Sequence, residues 1–264
     1  MYVMLILGRL FLIGDVLMMK QNKYDDPNFF SAYEQMTRSV KGLEGAGEWH
    51  ILKELIPDLK DKKVLDLGCG FGWHCRYARE QQASSVIGVD ISNKMIQRAR
   101  EMTNDPLISY KQEPIEDIDF SNSQFNVVIS SLAFHYIKSF KTICEKVYDC
   151  LMPGGSFIFS VEHPIFTSRN EQDWYYDDQG NRLHWPVDNY QTEGVRETTF
   201  LNENVTKYHR TISTYLNDLI YTGFIIRAVK ESVPSDEMLK SIPGMKDETR
   251  RPMFLMISAE KENS

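Results

Sequence analysis

The clearest chemistry in the chain lies in VLDLGCGFGWH at 64–74, where Asp66, Gly68, Gly70 and Gly72 stand two apart. Glycines in a turn after an apolar run let the backbone approach a ligand closely. A helix opening behind them aims its free N–H groups at that ligand. The next apolar run, 86–89, ends in Asp90. One carboxylate there can accept both hydroxyl hydrogens of a ribose. The loop reads GxGxG rather than the GxGxxG of a pyrophosphate site, and Trp73-His74 stand where that site needs a small residue. Asp66 beside the loop would repel a pyrophosphate and attract an ammonium. These residues describe a ligand with a ribose at one end and a cationic amino-acid group at the other.

Such residues need a frame. From residue 63 onward, short apolar runs at 64–67, 86–89, 108–111, 125–130 and 156–161 alternate with helical spacing at 73–82, 93–102 and 138–151. That alternation predicts βα units feeding a parallel sheet. Ser92 is placed to cap the second helix, and Met152-Pro153-Gly154-Gly155 to turn out of the third. A helix over 46–59 is expected to pack on the sheet, preceded by a polar, aromatic cover. Residues 163–204 show no sustained period, and so long an irregular stretch points to a lid. Regular spacing returns as a helix over 211–222 and strands over 224–229 and 253–259. The chain thus divides into 1–22 (extension), 23–62 (cover), 63–162 (core), 163–208 (insertion) and 209–264 (completion of the sheet).

The 264 residues are 42% hydrophobic and 25% charged, enough for one large domain with an insertion. A net charge of −7 argues against a nucleic-acid partner. The cysteines at 69, 75, 144 and 150 fall in two pairs six apart, without a CxxC, and are expected as buried, reduced thiols of a cytoplasmic protein. No residues stand at metal-ligand spacing. The first 19 residues are strongly apolar but broken by Arg9 and Asp15, too short in their apolar runs to span a bilayer. They read as translated upstream sequence before a start at Met18 or Met19, the alternative being an amphipathic helix that touches a membrane.

With VLDLGCGFG at 64–72, VIGVDIS at 86–92, FNVVISSLAFHYI at 125–137 and LMPGGSFIFS at 151–160 in this order, the sequence resembles the class I S-adenosylmethionine-dependent methyltransferases. The resemblance implies an α/β, Rossmann-like fold. Its seven-stranded sheet is mostly parallel with helices on both faces, the last strand antiparallel, and a lid-like insertion after strand five. It also implies S-adenosylmethionine (SAM) as cofactor. Gly68, Gly70 and Gly72 would hold the methionine moiety with Asp66 near its amino group. Asp90 would take the ribose, Ile91 and Met95 one face of the adenine, and Pro114, Ile115 and Glu116 the other. Many members have Asp where Pro114 stands, so Glu113 or Glu116 would replace that contact. Ser131 and Leu132 would lie under the sulfonium. Beyond the core, FFSAYEQMTRS at 29–39, AGEW at 46–49, SVEHPIFT at 160–167, HWPVDNY at 184–190, KYHRT at 207–211 and RRPMFL at 250–255 are similar to a bacterial subgroup of small-molecule methyltransferases. That likeness implies that Tyr33, Met36 and Arg38 close over the cofactor.

Methyl transfer is an in-line displacement, helped by positioning and by a base if the nucleophile arrives protonated. The candidates past the fourth and fifth strands are His135-Tyr136 and Glu162-His163. A packed or capping ring is the competing role for His135, and a brace before Pro164 for Glu162-His163. Tyr208-His209-Arg210, placed at the start of the late helix, could bind a substrate carboxylate or phosphate; equally, they could cap and pair locally. Trp185 and its aromatic neighbours would cover a flat substrate, or form the insertion's own core. The function expected is methyl transfer to a small molecule at O, N or C. The alternatives are a nucleic-acid or protein methyltransferase, and a SAM-binding module without turnover. Against the nucleic-acid route, the fourth strand runs into SSLA rather than an Asn-Pro-Pro-Tyr-type motif.

Overall fold

The computed structural model describes residues 20–263; the expected start at Met18 or Met19 lies outside the described residues. In chain order the first strands are β1 (Lys63–Leu67), β2 (Ser85–Asp90), β3 (Ile108–Gln112), β4 (Phe125–Ser131) and β5 (Leu151–Glu162). The insertion adds β6 (Tyr175–Tyr176), β7 (Arg182–His184), β8 (Gly194–Phe200) and β9 (Glu203–His209), before β10 (Phe224–Glu231) and β11 (Phe254–Lys261). The helices are α1 (Pro27–Glu34), α2 (Thr37–Val40), α3 (Trp49–Leu55), α4 (Trp73–Glu80), α5 (Asn93–Glu101), α6 (Phe140–Cys150), α7 (Pro164–Thr167), α8 (Ile212–Thr222) and α9 (Asp236–Ser241).

The central sheet runs β10-β11-β5-β4-β1-β2-β3. β1 to β5 are parallel, and β11 is antiparallel to both β5 and β10. Strand alternation sends apolar side chains to both faces. Leu65 and Leu67 share one core with Ile143 of α6 and Leu219 of α8. Val64 shares the other with Leu52 of α3, Ala78 of α4 and Ile96 of α5. The strand order reverses at β1 and β4, and ligands in open α/β sheets bind at the carboxyl edge beside such a switch.

Two expectations shift. The helix expected over 46–59 is shorter, Trp49–Leu55, because Pro57 holds Ile56 in an extended conformation (ψ 125°). The insertion is not irregular throughout, since β8 and β9 pair as a hairpin closed by Leu201 and Asn202, both at positive φ. Positive φ at both turn residues matches the twist of the flanking strands.

The cover is fastened at both ends. Asp26 caps α1 by accepting from Asn28 and Phe29 amides, with Pro27 at its first position. Asp25 accepts from Ser92 Oγ at 2.6 Å and from the Lys94 amide at 3.0 Å, tying the cover to α5. Gln21 exchanges two hydrogen bonds with the Thr206 backbone, tying it to β9. No helix of the described residues is long and apolar enough to cross a membrane.

Candidate active site

One cavity runs along the carboxyl edge beneath the cover, from the glycine loop to the ends of β4 and β5. Gly68 and Gly70 form part of its wall. A Cβ on Gly70 would meet nothing within 4 Å, so the missing side chain leaves the cavity open there. Asp90 ends β2 at the same wall. Its Oδ2 accepts from the Gly70 amide and its Oδ1 from the Ser92 amide, each at 2.9 Å. Each oxygen keeps acceptor capacity for a hydroxyl. Burial pushes this carboxyl up to about 6. Ile91, Met95, Ile115 and Glu116 also line the cavity.

Three members of the expected cofactor set stand back from the wall. Gly72 has φ 74°, and a Cβ there would lie 2.2 Å from Tyr110 Oη, so this glycine serves the packing of α4 on β3. Pro114 does not line the cavity, whereas Glu116 does. Asp66 lies buried behind the loop, accepting from Cys75 Sγ at 3.3 Å; its Oδ1 has no partner, and burial pushes its carboxyl up to about 7.

The cover contributes Tyr33, Met36 and Arg38 to the wall. Arg38 donates to Glu48 Oε1 at 2.6 Å, and Ser131 Oγ donates to the same oxygen at 2.9 Å. Both Ser131 and Leu132 line the cavity, Leu132 with φ 54°. The open glycine wall, the Asp90 carboxylate and the Arg38 guanidinium fit a nucleoside with an amino-acid tail.

The far half is lined by His135, Tyr136 and Glu162, joined by Tyr24 and by Phe200 from the hairpin. His135 Nδ1 accepts from the Glu162 amide at 3.4 Å, which leaves the neutral ring's hydrogen on Nε2, 4.0 Å from Glu162 Oε1. Burial pushes this imidazole down to about 4. It is uncharged at neutral pH, and its acceptor nitrogen is already engaged. Glu162 Oε1 accepts from Lys207 Nζ at 2.6 Å, and Lys207 also donates to Gln172 Oε1 at 2.9 Å. Burial alone would raise the Glu162 carboxyl, but the Lys207 ammonium and the hydrogen bonds from Lys207 and Gln172 oppose it, and the carboxyl is held low. Tyr24 stands perpendicular to Tyr33 and to Tyr136, with ring centroids 5.2 and 6.5 Å away. Burial raises the Tyr24 and Tyr136 phenols, which stay protonated.

Other candidates have structural duties. His163, expected as a base, is fully buried away from the cavity; its Nδ1 accepts from the Ile165 amide to cap α7, and its Nε2 meets Glu231 at 2.9 Å. Trp185 stacks on Phe166 and under Arg251, 4.0 Å from its ring centroid, within the insertion's own core. Tyr208 and His209 end β9 rather than opening a helix, and neither lines the cavity. The His209 ring bonds Thr167 Oγ1 and the Tyr190 carbonyl. Arg210 donates to the Phe134 and Ile137 carbonyls, bracing the turn that carries His135 and Tyr136. Thr211 is the cap of α8.

Sequence reasoning passed over Tyr24, Glu48, Phe200 and Lys207. Tyr24 lies in a short helical turn (Lys23–Asp25) without periodicity. Glu48 and Lys207 look like surface charges until burial pairs them with Arg38 and Glu162. The one available signal was TTFLNENVTKYH at 198–209, whose alternation is partly polar.

Residues 65–159 match the family model of the methyltransferase domain. The chain is 55% identical to a candidate S-adenosylmethionine dependent methyltransferase from Listeria monocytogenes of known crystal structure. That likeness covers 84% of this chain and 99% of that one, with a TM-score of 0.80. An S-adenosylmethionine dependent methyltransferase from Mesorhizobium loti is 42% identical over 83% of this chain and all of that one, with a TM-score of 0.79. The N-demethylindolmycin N-methyltransferase of Streptomyces griseus is 27% identical over 204 residues, covering 74% of this chain and 78% of that protein. The sheet order, the glycine loop facing Asp90 and these full-length likenesses agree: the chain belongs to the S-adenosylmethionine-dependent methyltransferases.

Proposed function

We propose that this methyltransferase acts on a small molecule held in the far half of the cavity, against Tyr24, His135, Tyr136 and Glu162. The observation that carries this reading is the roof. The Tyr24 and Tyr33 rings, Phe200 and the Gln21–Thr206 hydrogen bonds cover part of the carboxyl edge and narrow the cavity, where a macromolecular acceptor would need an open groove. The likeness to the N-demethylindolmycin N-methyltransferase, which reaches well beyond the core, supports the same class of acceptor.

When bound, S-adenosylmethionine supplies a methyl carbon on a sulfonium, which a nucleophile displaces in line. The chain's contribution is positioning. Asp90 and the Gly70 backbone hold the ribose end, Arg38 the tail carboxylate, and the rings orient the acceptor. His135, with its acceptor nitrogen committed to the Glu162 amide, orients Glu162 rather than abstracting a proton. The test is transfer of labelled methyl from S-adenosylmethionine into a cell extract separated by mass. Label in products of small-molecule mass is expected; label confined to protein or nucleic acid would refute the reading.

A further inference from the structure

We infer that the acceptor is an amine that enters as its ammonium, captured by the Tyr24 and Tyr136 rings with Glu162 beside them. The inference rests on the small-molecule reading above and adds the acceptor's charge and atom.

Charge accounting inside the cavity points this way. Every basic side chain at its wall already faces a carboxylate: Lys20 with Asp117 at 2.5 Å, Lys23 with Glu203 at 3.9 Å, Arg38 with Glu48 at 2.6 Å. Lys207 is buried behind Glu162 and committed to it. Arg38 bonds Glu48 through one amino nitrogen, and its remaining N–H groups are those assigned above to the donor's tail carboxylate. In the far half, no cation of the described residues is left to hold a carboxylate or phosphate acceptor. What that half offers is π faces and a carboxylate. Tyr24 and Tyr136 meet at 90° with ring centroids 6.5 Å apart, and both line the cavity as two walls of a corner. Aromatic faces carry negative electrostatic potential and attract ammonium groups, most strongly when desolvated. Their phenols stay neutral and His135 is uncharged; the Lys207 ammonium already lies 5.7 Å from the Phe200 ring centroid, so the faces left for an incoming ammonium are those of Tyr24 and Tyr136.

The chemistry closes. The ammonium gives one proton to water before transfer. The nitrogen lone pair forms the N–C bond while the C–S pair passes to sulfur. The product nitrogen carries the positive charge that sulfur lost, so the corner favours the charge as it arrives. The Glu162 carboxylate can accept a hydrogen bond from the ammonium and fix the remaining lone-pair direction.

The test uses the full chain saturated with S-adenosylhomocysteine (SAH), titrated by calorimetry with choline and with its neutral isostere 3,3-dimethylbutan-1-ol. Choline is expected to bind about tenfold more tightly. Tyr24→Leu and Tyr136→Leu are expected to abolish the preference while SAH binding holds. Equal binding of the two probes, no binding of either, or tighter binding of butyrate overturns the inference. It is also overturned if the leucine variants lose SAM affinity tenfold with the choline preference intact, because the rings then serve the donor. Should a leucine variant fail to bind SAH, the wild-type comparison alone decides. The methyl-labelled extract separates the two readings. Label in small molecules that a cation exchanger does not retain overturns the amine and leaves the small-molecule reading; label on macromolecules alone overturns both.

Discussion

The Gly70 amide donates to the Asp90 carboxylate across 2.9 Å, locking the loop after β1 to the end of β2. The same carboxylate is the proposed ribose acceptor, and it must be ionised to accept from two hydroxyls. Its ionisation is pushed up to about 6 by burial. Affinity for SAH should therefore strengthen as pH rises from 5 to 7 and level off above. Asp90→Asn should weaken binding by about 1–3 kcal/mol and flatten that dependence, because one acceptor oxygen becomes a donor. Calorimetry at several pH values checks both; a pH-independent wild type contradicts the assignment.

Gly70 and Gly72 share the motif but should fail differently. Ala at 72 drives a methyl into Tyr110 Oη at a left-handed φ, and should destabilise the fold by about 1–3 kcal/mol. Ala at 70 is also held at a left-handed φ (51°) but meets no neighbour, so it should cost less stability than Ala at 72 and, with its methyl in the open cavity, weaken SAH binding as well. Thermal melts with and without SAH separate the two; an SAH-induced rise in Tm left unchanged by Ala at 70 would show that the ligand does not reach Gly70.

Lys207→Met leaves the Glu162 carboxylate buried without its ammonium. A loss of roughly 3–5 kcal/mol follows from breaking a buried pair on one side. Removing both charges in Lys207→Met/Glu162→Met should recover much of that stability without recovering turnover. Denaturant melts of the single and double variants are the measurement. Additive losses would mean that the two side chains are not coupled.

Arg210 is set as a brace, not a substrate clamp. Arg210→Met should leave the Phe134 and Ile137 carbonyls without a donor, lower kcat and leave SAH affinity within about twofold. A specific rise in acceptor KM with kcat and stability unchanged would restore Arg210 to the substrate site.

Much of the donor half was legible because its residues are local. Gly68 to Gly72 sit in one turn directly after β1, and Asp90 ends the next strand, so strand periodicity alone brings the loop and the acid together. The acceptor half was less legible because its parts come from segments far apart in sequence. Tyr24, His135, Glu162 and Phe200 meet only after the sheet and the hairpin form. The hairpin itself hides from hydrophobic patterning. Its buried face is Arg196, Thr198, Val205, Lys207 and His209, mostly polar, and its turn is Leu-Asn rather than Asn-Gly. His163 shows the reverse error. Its place after β5 suggested chemistry, yet Pro164 turns the chain so that the ring caps α7.

The most direct measurement is a crystal structure of the protein with SAH. The adenosine should lie along Asp90, Ile91 and Met95, the tail carboxylate on Arg38, and the thioether sulfur should face the corner formed by Tyr24, Tyr136 and Glu162. A sulfur turned away from that corner, or an SAH that fills it, would contradict the division of the cavity into donor and acceptor halves.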